Sequence, residues 1–101
     1  MILAQVVGTV VSTRKDTGLV GLKLLLVREV DGAFKPAGNY VVAADAVGAG
    51  SDELVMVAQG SSARMTEVSR EKPVDAVIVG IVDVIEMAGK DVYLKRSGAV
   101  S

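Results

Sequence analysis

Two stretches of this chain are apolar at almost every position, and they limit what it can fold into. Leu24, Leu25, Leu26 and Val27 are consecutive; so are Val77, Ile78 and Val79, with Ile81 and Val82 just after. Successive side chains of a strand point to opposite faces, so both stretches are apolar on two sides. A chain of 101 residues makes one domain with a limited core. A small barrel has one inside, and no second layer of helices is present to cover its outside. A partner subunit is the simplest cover; loops and one short helix are the other.

The remaining sequence fits that frame. Valine, isoleucine and threonine dominate the long runs, which favours strands. Residues 2–13 alternate in part, with Ile2, Ala4, Val6, Gly8 and Val10 on one face. Residues 14–18 form a charged turn, residues 19–30 a second strand region, and residues 31–39 an exposed loop marked by Asp-Gly, Pro and Gly-Asn. Strands follow at 40–45 and 53–59, separated by a glycine loop. Residues 60–68 start a short helix, with Ser61 or Ser62 as its N-cap. Residues 76–87 form the longest strand candidate; 88–91 is a hairpin turn, and the chain then returns. This pattern predicts an all-β fold: a small closed or partly closed, OB-like barrel with one short helix. One domain is expected over residues 1–96, with 97–101 as a flexible tail.

Composition removes several functions. Eleven basic and twelve acidic residues give a net charge of -1, which is no footprint for nucleic acid or an acidic membrane surface. Cysteine is absent, so there is neither a disulfide framework nor a redox clue. Histidine is absent too, which removes the commonest general base and a zinc site of ordinary type. The apolar N-terminus lacks a basic leading region and is too short to span a bilayer, so a cytosolic location is expected.

The stretch most suggestive of chemistry is ADAVGAGSDELVMVAQGSSAR, residues 44–64. Gly48-Ala49-Gly50 opens like a dinucleotide fingerprint, but Glu53 stands where the third glycine belongs, and a strand follows where a helix should begin. Asp52 and Glu53 would also repel a phosphate. The loop therefore reads as a tight turn. Ser61 and Ser62 have no histidine to act as base, and Arg64 is too basic to serve. Capping or an interface is the better role for them, because arginine's planar fork suits subunit contacts. The acids Asp45, Asp52, Glu53, Asp75 and Asp83 show no EF-hand spacing. Turn capping suits Asp45 and Asp75, and Asp83 faces solvent or a partner.

Taken in order, VVGTVVSTRK, LVGLKLLLV, AADAVGAG, GSSAR and PVDAVIVGIVD resemble the EutN/CcmL family of bacterial microcompartment vertex proteins, over the chain to about Met87. The resemblance implies a five- or six-stranded OB-like barrel that assembles as a cyclic homopentamer. It implies a structural role, without catalysis, cofactor or metal. Pentamers fill the corners of a shell whose facets are hexameric and trimeric proteins, and the shell encloses enzymes. Neither nucleic acid nor membrane is expected as a partner. Subunit contacts or the lining near the central axis are then expected from Asp45, Gly48, Ala49, Gly50, Ser61, Ser62, Ala63 and Arg64. One departure is visible: the family commonly has a further glycine where this chain has Asp52, a residue that tolerates the left-handed conformation better than most. The alternative is an OB-like oligomer that binds nucleic acid or a small ligand.

Overall fold

A computed structural model describes residues 1–95. The expected tail at 97–101 lies outside the described residues. The described residues form seven strands: β1 (Ile2–Val10), β2 (Leu24–Val30), β3 (Pro36–Asp45), β4 (Leu54–Gln59), β5 (Ala76–Ile81), β6 (Val84–Met87) and β7 (Lys90–Leu94). The first five close into a barrel in the order β1-β2-β3-β5-β4, and β6 and β7 pair as a separate hairpin. All barrel pairings are antiparallel except β3 with β5, which is parallel and short, joining Ala44 to Val77 and Asp45 to Ile78. The mainly β, OB-like barrel read from the sequence is therefore the fold, with five strands in the barrel.

Alternation decides what fills it. Ala4, Val6, Leu25, Val27, Ala43, Val55, Val57, Ala76 and Ile78 form one buried cluster, with Ile2 and Val41 packed against it. The two-sided runs divide as the strand period requires. Leu25 and Val27 join this inner cluster, while Leu24 turns outward to pack with Ala44, Ala63 and Val77. Strict alternation in β1 ends at a bulge: the pairing register with β2 shifts between Val6 and Gly8. Such a shift lets a strand bend around a tight barrel.

Loops and the hairpin cover part of the outer wall. Val74 and Leu22 pack on the Ala44–Ala63–Val77 cluster. Val30, Leu54 and Tyr93 form a third buried group with Leu3, Phe34, Val82 and Ile85 around them. Tyr93 of β7 is fully buried there, and its ring lies 4.9 Å from that of Phe34, tilted by 48°. Val7, Tyr40, Val42 and Met56 remain exposed on the barrel strands.

The sequence expectations need four corrections. The single strand 76–87 is two: it breaks at 82–83, where Val82 N–H donates to the Leu54 carbonyl and polar Asp83 interrupts the apolar run. The loop 31–39 is shorter, because β3 starts at Pro36, a strand position that requires no N–H donor. Asp31 closes what remains by accepting from Ala33 and Lys35 N–H at 2.8 and 3.1 Å. The helix is a 3-10 turn, Gly60–Arg64, and its cap is Gln59 with no side-chain bond. Ser62 Oγ instead donates to the Gln59 carbonyl at 2.7 Å. The strand region expected at 19–30 begins only at Leu24, because a further 3-10 turn, Thr17–Leu19, capped by Asp16 of the charged turn, precedes it.

The β6–β7 turn has positive φ at both central residues, 53° at Ala88 and 78° at Gly89. This is the mirror-image geometry for which asparagine is preferred at the first position. Ala88→Asn is expected to stabilise the chain by about 1 kcal/mol, since the left-handed region costs alanine about that much. A higher urea midpoint at fixed protein concentration checks it.

Candidate functional site

The stretch 44–64 is built around two carboxylates. Asp45 ends β3, and the backbone turns directly over it. Its Oδ1 accepts from the N–H of Val47 and of Gly48, both at 3.1 Å, and its Oδ2 accepts from Ala49 at 2.9 Å. Gly48 has a φ of 78°, which lets the chain wrap the carboxylate so closely. Glu53 then accepts from Gly50 N–H. Asp52 sits at φ 65°, in the left-handed conformation that aspartate tolerates better than most residues, and its N–H donates to the Val6 carbonyl at 2.9 Å.

These bonds decide the chemistry of the loop. A phosphate cradle needs several backbone N–H groups free and convergent. Here the convergent donors are already engaged by the chain's own carboxylates. The loop resembles an anion nest that carries its anion inside it. Its packing agrees: Ala49 is buried and joins the inner barrel cluster. The loop is thus a plug at one end of the barrel.

Glu53 does a second job. Its other oxygen meets Lys95 Nζ at 2.7 Å, tying the glycine loop to the end of the hairpin. The Lys95 hydrogen bond, followed by the Gly50 N–H, holds the Glu53 carboxyl below its ordinary value, and the same pairing raises Lys95. Nothing in the sequence signalled this pair, because its members lie 42 positions apart and only the docked hairpin brings them together.

The serine-arginine stretch is built differently. Ser61, Ser62 and Arg64 are exposed, whereas Ala63 is buried beneath them against Ala44 and Val77. Ala49 and Ala63 are both packed within the chain's own buried clusters. Behind the turn, Ser69 is fully buried. Its Oγ donates to the Ala63 carbonyl at 2.5 Å, and its N–H donates to Thr66 Oγ1 at 3.0 Å. This hydroxyl network fixes the backbone of the turn. Among the described residues there is no group of three or more Asp, Glu, His or Cys placed to hold a metal ion. No helix among them is long and apolar enough to cross a membrane.

The family described as "Ethanolamine utilisation protein EutN/carboxysome" matches residues 1–83. A carboxysome shell vertex protein CcmL of Synechocystis sp. is 49% identical over 96 residues, covering 95% of this chain and 96% of that one. A solved carboxysome subunit, CcmL, superposes with a TM-score of 0.90 at 49% identity, over 95% of this chain and all of that one (100%). A GrpN pentameric microcompartment shell protein from Rhodospirillum rubrum superposes with a TM-score of 0.78 at 45% identity, over 87% of this chain and 99% of that one.

Two outcomes are expected at this site. Asp45→Ala removes the acceptor of three N–H groups, of which only that of Ala49 belongs to a buried residue, and should cost about 1 kcal/mol, as the loss of a side-chain cap typically does; urea unfolding measures it. Glu53 has its folded pKa below its unfolded value of 4.5. Its contribution is therefore complete above pH 4.5 and is lost as pH falls through the folded pKa. Melting temperatures from pH 7 to 3 should fall less steeply for Glu53→Gln than for the parent chain.

Proposed function

The chain belongs to the EutN/CcmL family, and from that premise we propose that it is a pentameric vertex protein of a bacterial microcompartment shell. The observation that carries this reading is the likeness to vertex proteins over the whole barrel, 95% of the chain in the carboxysome subunit. The exposed apolar wall supports it. Val7, Tyr40, Val42 and Met56 need cover, and a head-to-tail contact that closes into a ring supplies it.

The role is geometric. A sheet of hexagons cannot close without pentagons, so a five-fold piece at each corner lets a flat shell become a polyhedron around its enzymes. The hexameric and trimeric shell proteins are the proposed neighbours, and the shell is the proposed location. The protein acts through shape, without catalysis or cofactor. Ser61, Ser62 and Arg64 are the proposed exposed contacts near the ring axis, with Gly48 and Gly50 as positions of close backbone approach. Asp45 takes part by shaping that loop. Nucleic acid is not a proposed partner: of the three aromatic residues, Phe34 and Tyr93 stack on each other, which leaves one exposed ring where stacking several bases needs several.

Native mass spectrometry tests the reading. A mass of five subunits is expected, and a monomer or dimer would overturn it. Arg64→Glu should lower the pentamer fraction at equal concentration.

A further inference from the structure

The β6–β7 hairpin is fastened differently from the barrel strands. It forms a sheet of its own, with no ladder to the barrel among the described residues. A two-stranded hairpin is marginal by itself, so what it packs on must hold it. Of the residues in β6 and β7, Tyr93 alone is buried. It is seated with Val30, Leu54 and Phe34, and Ile85 packs beside it. Val84 and Met87 remain half exposed.

That single anchor carries a defect. The Tyr93 hydroxyl is buried and has no hydrogen-bond partner. A buried hydroxyl in this state disfavours docking by roughly tenfold, because undocking returns it to water. It works against the apolar contact that its own ring makes. The second fastening is the Lys95–Glu53 pair at 2.7 Å, with side chains 35% and 20% exposed. An ion pair so open to water adds about fivefold at most.

The base of the hairpin has the form of a hinge. On the barrel side, Val82 N–H donates to the Leu54 carbonyl at 2.9 Å. One residue on, the Asp83 carbonyl accepts from Lys95 N–H at 2.8 Å and closes the hairpin upon itself. Rotation about the Val82–Asp83 link moves residues 83–95 together and breaks no bond of either ladder. The far end touches the β2–β3 loop through the Met87 methyl, which lies over Gly32.

We propose that residues 83–95 are a hinged flap, which swings off Leu3, Val30, Phe34 and Leu54 as a unit while the barrel stays closed. The Tyr93 hydroxyl is its weak point, and the Lys95–Glu53 pair is its latch. The flap belongs to one chain and is independent of the number of copies in a ring.

Hydrogen–deuterium exchange of the full chain in its native assembly, read by mass spectrometry, tests it. After correction for intrinsic rates, amides in 84–94 should exchange at least about tenfold faster than those of β1 and β2, since opening a part costs less than opening the whole. Tyr93→Phe removes the lone hydroxyl and should slow exchange in 84–94 by about tenfold, with β1 and β2 unchanged. Lys95→Gln should speed it by up to about fivefold, again with β1 and β2 unchanged. Equal exchange in the two regions of the parent chain, or a variant that shifts both by one common factor, overturns the flap. Unchanged or faster exchange of 84–94 in Tyr93→Phe overturns the hydroxyl as its weak point. If Tyr93→Phe fails to fold, the parent chain and Lys95→Gln decide.

Discussion

Closing five short strands into a barrel leaves a narrow interior, and most of this molecule follows from that. The inside holds alanine, valine, leucine and isoleucine, with no aromatic residue among the buried cluster. Ring side chains are displaced outward, so Phe34 and Tyr93 pack against each other on the outer side with Leu54 and Val30. The barrel cannot absorb the second apolar face of its own strands. Part of that face is covered by the 3-10 turn, the segment after it and the β6–β7 hairpin. The rest, on β1, β3 and β4, stays exposed in the single chain. A ring subunit is what such a surface suits: stable enough to close its own core, yet left with apolar walls that another copy can cover.

The glycine loop shows how a motif associated with ligands can be turned to structure. Glycine and alanine amides converge as they would on a phosphate, but Asp45 and Glu53 occupy the place of the anion. The gain is a turn that holds its shape without a ligand. It seats Ala49 in the barrel end and, through Glu53 and Lys95, tethers the hairpin to the same point. Glu53 is thus the joint between the glycine loop and the end of the β6–β7 hairpin. Asp52 serves the same turn in the left-handed conformation that glycine would adopt with less strain.

Much of this was legible in the residues. The β-branched runs announced strands, and the interruption of the fingerprint at Glu53 announced a turn. Asp45 at a strand end before a glycine pair had the local chemistry of a cap, because an aspartate reaches amides two to four residues on. What escaped detection was non-local. The break at Asp83 depends on Val82 bonding to Leu54, and the burial of Tyr93 depends on Phe34, 59 positions earlier. Ser62 looked like an N-cap, but the 3-10 turn leaves β4 directly at Gly60, so its hydroxyl donates backward to Gln59.

By itself the sequence determined the class of fold, the family and the apolar excess that calls for a partner, since strand period, β-branching and motif order are local properties written along the chain. Only the tertiary structure decided which of those apolar residues remain uncovered. Leu24 and Val42 both point outward from neighbouring strands, yet Leu24 packs into the cluster around Ala44 while Val42 stays half exposed. Periodicity assigns a side chain to a face. Whether that face is closed depends on where distant segments, here residues 65–75 and the terminal hairpin, come to rest upon it.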